Sequence, residues 1–63
     1  MTKAQKALIK KINSLYTPDE QDDIGFYPDV EGEKSYTMRL NVDGQNIKFE
    51  YDYATAAITV QTV

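Results

Sequence analysis

The dipeptide Asp43-Gly44 separates two stretches of strict two-residue alternation, and no other feature constrains the fold of this chain so tightly. Tyr36, Met38, Leu40 and Val42 alternate with Thr37, Arg39 and Asn41. Ile47, Phe49, Tyr51 and Tyr53 alternate with Asn46, Lys48, Glu50 and Asp52. Period-two patterning of this length marks half-buried strands. Asp-Gly supplies the two positive-φ positions of a tight hairpin turn. A two-residue turn there sets Leu40 opposite Ile47, Met38 opposite Phe49 and Tyr36 opposite Tyr51. A slip by one residue would set each apolar side chain against a polar one, so turn chemistry and pattern specify the same register. On the outer face Thr37 meets Glu50. Arg39 meets Lys48 unfavourably, with Glu50 on the diagonal.

Further strand signals flank the hairpin. Ile58 and Val60 alternate with Thr59 and Gln61, predicting a last strand over about Ala57 to Thr62. A short reversal at Ala54–Thr55 would bring Tyr51 near Ile58 and Phe49 near Val60, although no Gly, Asn or Asp sits at its centre. A short strand is expected around Ile24, Phe26 and Tyr27, ended by Pro28.

The first residues read as a helix. Thr2 is a plausible N-cap, and Lys3 to about Tyr16 contains no Gly or Pro. At 100° per residue Ala4, Leu8, Ile12 and Leu15 share a stripe that Ile9 and Tyr16 widen. Lys3, Lys6 and Lys10 fall on the opposite side, and the stem of Lys11 lies at the stripe's edge. Pro18 ends the helix and disfavours helical geometry at Thr17.

One sheet face is apolar and must be covered, and only this helix can cover it. The expected fold is α+β, with one N-terminal amphipathic helix packed on one face of a three- to four-stranded antiparallel meander (α-β-β-β-β). Residues 1–63 form a single small domain, with helix over 1–17, an acidic loop with a short strand over 18–34 and antiparallel strands over 35–63. The expected core is Leu8, Ile12, Leu15, Phe26, Tyr36, Met38, Leu40, Ile47, Phe49, Tyr51, Ile58 and Val60.

Sixty-three residues leave no room for a second core. The longest apolar run is three residues, far short of a bilayer span. The start MTKAQKALIKK lacks the apolar stretch of a signal peptide. The chain therefore reads as cytoplasmic and complete from Met1. It contains no Cys, His or Trp. This removes disulfides, thiolate metal sites, cysteine nucleophiles and the commonest general base. Gly25, Gly32 and Gly44 are too scattered for a phosphate-cradling loop. The expectation is a protein that is not an enzyme and carries no cofactor and no metal.

Charge is segregated along the chain. Residues 1–18 carry Lys3, Lys6, Lys10 and Lys11 without an acid. Residues 19–33 carry Asp19, Glu20, Asp22, Asp23, Asp29, Glu31 and Glu33 without a base. The acidic run lacks the spacing of a calcium loop. It reads either as a docking surface for a basic partner, whose complementary field would speed encounter, or as a solvated loop. The lysine face reads either as a phosphate-contacting surface or as an ordinary solvated helix face. The aromatics of the hairpin share the face that must be buried and so read as core, with Tyr27 and Tyr53, near the sheet's ends, partly exposed.

The function expected from this pattern is a small non-enzymatic protein-binding module, of the type of inhibitors and regulators carried by bacterial and mobile-element genomes. It would engage a basic partner through Asp19, Glu20, Asp22, Asp23, Asp29, Glu31 and Glu33, or through the sheet edge. The last strand is expected to lie at an edge, without charge or proline, and so to offer a homodimer contact. The alternative is a nucleic-acid-binding accessory protein using Lys3, Lys6 and Lys10.

Overall fold

A computed structural model describes all residues from Met1 to Val63. Its elements are α1 (Lys3–Leu15), α2 (Pro18–Gln21), β1 (Gly25–Phe26), β2 (Val30–Glu31), β3 (Ser35–Val42), β4 (Gln45–Asp52) and β5 (Ile58–Thr62). The architecture is α+β: the N-terminal helix lies on an antiparallel sheet of order β1-β3-β4-β5, with β2 also pairing with β3.

The central hairpin has the register that its turn dictates. Tyr36 pairs with Tyr51, Met38 with Phe49 and Leu40 with Ile47. Asp43 and Gly44 both take positive φ, 51° and 83°, as the tight turn between right-twisted strands requires. The last strand also pairs as its pattern implies, Tyr51 with Ile58 and Phe49 with Val60. Its connection to β4 is built by Asp52 rather than by a central glycine. The Asp52 carboxylate accepts from the N–H groups of Ala54 (2.9 Å) and Thr55 (3.2 Å). Ala56 then closes the loop at φ 59°.

The helix begins at the expected cap. Thr2 Oγ1 accepts from Gln5 N–H, and Gln5 Oε1 accepts from Thr2 N–H, which makes a reciprocal capping box. It ends at Leu15, with Tyr16 already extended, because the next residues build a second cap. Thr17 Oγ1 accepts from Glu20 N–H, Glu20 Oε1 accepts from Thr17 N–H, and Pro18 occupies the first turn. Residues 18–21, expected as loop, are therefore the helical turn α2. Gln21 ties it back to α1 through Asn13 Oδ1 (2.9 Å) and the Tyr16 carbonyl (3.1 Å).

Two short strands, rather than one, line the outer edge of β3. Gly25 and Phe26 pair with Asn41 and Leu40, whereas Val30 and Glu31 pair with Thr37 and Tyr36. The register shifts by one residue between the pairs, so Tyr27-Pro28-Asp29 contains a bulge. Pro28 has no N–H to contribute to a ladder, which makes it a natural place for the interruption. The shift turns Val30 to the outer face and Glu31 to the helix side.

The core is one cluster of Ala4, Leu8, Ile12, Ile24, Tyr36, Met38, Leu40, Phe49 and Tyr51. Ile47 and Ile58 are half-buried against it. Three expected core residues lie outside: Leu15 is 48% exposed, Phe26 52% and Val60 43%. A helix about 10 Å across shelters only about two strands spaced at ~4.8 Å. Here α1 lies against β3 and β4. Phe26 on β1 and Val60 on β5 share the inner face but fall outside that cover. Leu15 ends the helix just before the chain turns away.

Candidate functional site

The acidic segment does not form a single surface. Asp19, Glu20, Asp22 and Asp23 are exposed on or just after α2, at the C-terminal end of α1. Glu20, Asp23 and Asp43 line one cleft with Tyr16, Ile24 and Val42. Asp29 lies in the bulge, and Glu31 and Glu33 lie beyond it along the other half of β3. Glu31 shares a cleft with Thr2, Lys3, Ala4, Tyr36, Tyr51 and Tyr53 at the opposite end of the helix. The length of α1, roughly 20 Å for its 13 residues, separates the two groups.

Two of these carboxylates have structural roles. Glu20 completes the second capping box, and its pKa lies below the usual value because it accepts first from the Thr17 backbone N–H and then bonds the Thr17 side chain. Asp29 accepts from the Tyr36 hydroxyl at 2.6 Å. That bond, then burial, raises the tyrosine's pKa. Asp19, Asp22, Asp23, Glu31 and Glu33 are exposed. No group of three or more potential metal ligands is assembled.

The lysines are divided between two settings. Lys3, Lys6 and Lys10 are exposed on α1, and Lys11 is half-buried. Lys10 and Lys11 line an open groove with Ala7, Ser14 and Ile58, between the helix and the last strand. The carboxylates of α2 lie on the other flank, where Asn13 receives that helical turn.

Arg39 pairs with Lys48 across the hairpin, as the register requires. The guanidinium lies over the Tyr27 ring, 5.5 Å from its centroid, which offers the charge an aromatic face. Tyr27 Oη donates to Asn46 Oδ1 at 3.1 Å, and Asn41 Nδ2 donates to the same oxygen at 3.0 Å. Tyr27 and Tyr53 are both exposed, as expected from their positions near the sheet's ends.

The two edges of the sheet differ. The β1–β2 edge is broken by a bulge and a proline and flanked by carboxylates, all of which discourage further pairing. The β5 edge has none of these devices. Val63 N–H donates to the Asn46 carbonyl, and Asp52 N–H to the Ala57 carbonyl. In an antiparallel ladder the hydrogen-bonded positions alternate, so Ala57, Thr59, Gln61 and Val63 turn their backbone groups toward β4. Ile58, Val60 and Thr62 turn theirs to the free edge. The sequence signal for this site was the uncharged run Thr-Val-Gln-Thr-Val. The groove beside it needed the placement of the helix.

No protein-family model matches this chain, no curated protein matches it in sequence, and no solved structure matches it. No helix is long and apolar enough to cross a membrane.

Proposed function

We propose that this chain is a small non-enzymatic protein-binding module that adds an extended strand of its partner to the free edge of β5. The observation that carries this reading is the contrast between the two sheet edges: one is bulged, proline-broken and acidic, the other straight, uncharged and open. An edge of this kind offers three backbone donors and three acceptors in a row, those of Ile58, Val60 and Thr62. Strand addition uses such groups for affinity and the adjoining side chains for selectivity. Val60, half-exposed on the helix side, supplies an apolar contact beside them. The strand comes from another protein or from β5 of a second copy.

Val60→Pro tests the reading. Its N–H faces the free edge and makes no bond to β4, so proline there removes an edge donor while sparing the ladder. The wild-type protein should retain a partner, or self-associate in sedimentation at high micromolar concentration. The amides of Ile58, Val60 and Thr62 should become protected from hydrogen exchange in the complex, and the variant should lose both effects. A complex that forms equally well with Val60→Pro and leaves those amides exchanging freely would reject strand addition.

A second reading rests on the α2 end, where Glu20, Asp23 and Asp43 line one cleft and Asp19 and Asp22 are exposed on or just after the same helical turn. A basic partner would dock there, with affinity that falls as salt rises. Neutralising Asp22 and Asp23 to Asn should weaken that complex, and unchanged affinity would move the contact elsewhere. In the nucleic-acid alternative, Lys3, Lys6 and Lys10 contact phosphates. It requires a complex in a low-salt gel assay that fades steeply with salt, and the absence of any shift would reject it.

A further inference from the structure

The geometry points to a definite chemistry for the strand that β5 receives. We propose that it is an acidic–apolar segment, with an apolar side chain over Val60 and, two positions away on the same face, a carboxylate reaching Lys10 and Lys11. The proposal rests on the strand-addition reading above and adds the identity of the occupant.

The helical repeat places Lys3, Ala7, Lys10, Lys11 and Ser14 on one flank of α1 and Ile9, Asn13 and Tyr16 on the other. Asn13 and Tyr16 receive α2. Ala7, Lys10, Lys11 and Ser14 instead line the groove whose far wall is Ile58. No carboxylate lines it, and β5 contains none. A strand added to β5 lies ~4.8 Å further out and sends every second side chain to the helix side, into this groove. There the floor is apolar and the rim carries two ammonium groups on long, adjustable stems. An acidic side chain beside the apolar contact gains two partners in a partly sheltered place. A basic side chain would face two like charges.

Charge also argues against a second copy as the occupant. Pairing β5 with itself about a two-fold axis would bring Lys10 and Lys11 of both chains to one trough. The helix has no acid to offset them. Because α1 lies over β3 and β4, the two helices would stand about four strand spacings apart, roughly 19 Å. Packed helices need 8–10 Å or so, so neither helix would cover the exposed valine of the other chain.

The test is selection of short linear peptides from a displayed library on three immobilised proteins: wild type, Val60→Pro, and the double variant Lys10→Glu with Lys11→Glu. Amide dispersion in NMR spectra establishes that each is folded. If Val60→Pro is not, Thr62→Pro replaces it, since that N–H also faces the free edge. Wild type should enrich peptides with acidic and apolar residues at alternate positions, and the proline variant should lose them. The double variant should bind them about tenfold more weakly, corresponding to about 1.4 kcal/mol, and should accept peptides in which lysine replaces the acid.

Peptides that need the β5 edge but show no acidic preference, or bind the charge-reversed protein equally, would overturn the acidic assignment while strand addition stands. Concentration-dependent dimers abolished by Val60→Pro would make a second copy the occupant, with the same consequence. Enrichment of no peptide sensitive to the proline would overturn both readings.

Discussion

The hydroxyl of Tyr36 donates to Asp29 Oδ2 across 2.6 Å, and this bond joins the core of the sheet to the bulged edge beside it. Tyr36 is buried and Asp29 exposed, so the contact anchors the far half of this edge, as the contacts of Tyr27 with Arg39 and Asn46 anchor the near half. The bulge that Asp29 closes turns Glu31, one register step out of line, to the helix side.

The pair should make the edge sensitive to alkaline pH. The pKa of Tyr36 is raised, first by the hydrogen bond to Asp29 and then by burial. A group held protonated in the folded state stabilises it fully below the ordinary tyrosine pKa, and that contribution disappears as pH rises through the higher folded value. Tyr36 should therefore titrate above the ordinary tyrosine value in the ultraviolet tyrosinate band, and Asp29→Asn should lower its midpoint. Tyr36→Phe should accelerate hydrogen exchange at Gly32, whose N–H donates to the Ser35 carbonyl, while leaving Met38 and Phe49 protected. Unchanged exchange at Gly32 would mean that the bond does not hold the edge.

Ala56 presents a second local device. Its φ of 59° lies in the left-handed region, where a Cβ is costly. Ala56→Gly should raise stability by about 0.5–1 kcal/mol, the strain relieved being partly offset by the greater freedom of glycine in the unfolded chain. Denaturant unfolding with an unchanged slope measures this. A loss of stability would mean that Ala56 is not strained in solution.

The hairpin and the helix were legible because each rests on local chemistry repeated over many residues. Leu40 faces Ile47 because Asp43-Gly44 allows one turn geometry. Leu8 and Ile12 face inward because their spacing allows one buried stripe. Residues on the inner face but outside the helix's shadow were not legible. Phe26 and Val60 have the right phase, but phase says nothing about how far a single helix extends its cover. The turn at α2 was written in Thr17, Pro18 and Glu20, a cap signature hidden by the acidity around it. The split of the carboxylates followed from the bulge at Tyr27-Pro28-Asp29, whose one extra residue has no periodic signature. The free edge of β5 was visible in composition. Its basic groove was not, because Ile58 and Lys10 are brought together only by the tertiary fold.

The limited reach of the helix has an energetic consequence. Phe49 is fully buried, whereas Val60, its partner across the ladder, is half-exposed. Phe49→Ala should cost about 3–5 kcal/mol, which for a domain this small is enough to abolish folding. Val60→Ala should cost under about 1 kcal/mol, because most of what it removes already faces water. Thermal unfolding of both variants compares the two positions directly. Equal losses would show that Val60 is buried in solution, as a partner on the β5 edge would require.

The cap at Thr17 controls whether the carboxylates of α2 are displayed as a group. A four-residue helix cannot sustain itself, since nucleation outweighs the few bonds it gains, so α2 depends on the reciprocal bonds between Thr17 and Glu20 and on the ties of Gln21. Thr17→Ala should cost about 1 kcal/mol and leave Asp19, Asp22 and Asp23 unordered. The pKa of Glu20 is lowered, first by the Thr17 backbone N–H and then by the Thr17 side chain. Its contribution is therefore present above the ordinary glutamate pKa and lost as pH falls through the lower folded value. Glutamine can form the same box without titrating. The Thr17 amide resonance should thus move with acid in the wild-type protein and stay in place in Glu20→Gln. An amide that shifts equally in both proteins would show that the Glu20 carboxylate is not its partner, and the ordered display of acids at this end of the domain would need another cause.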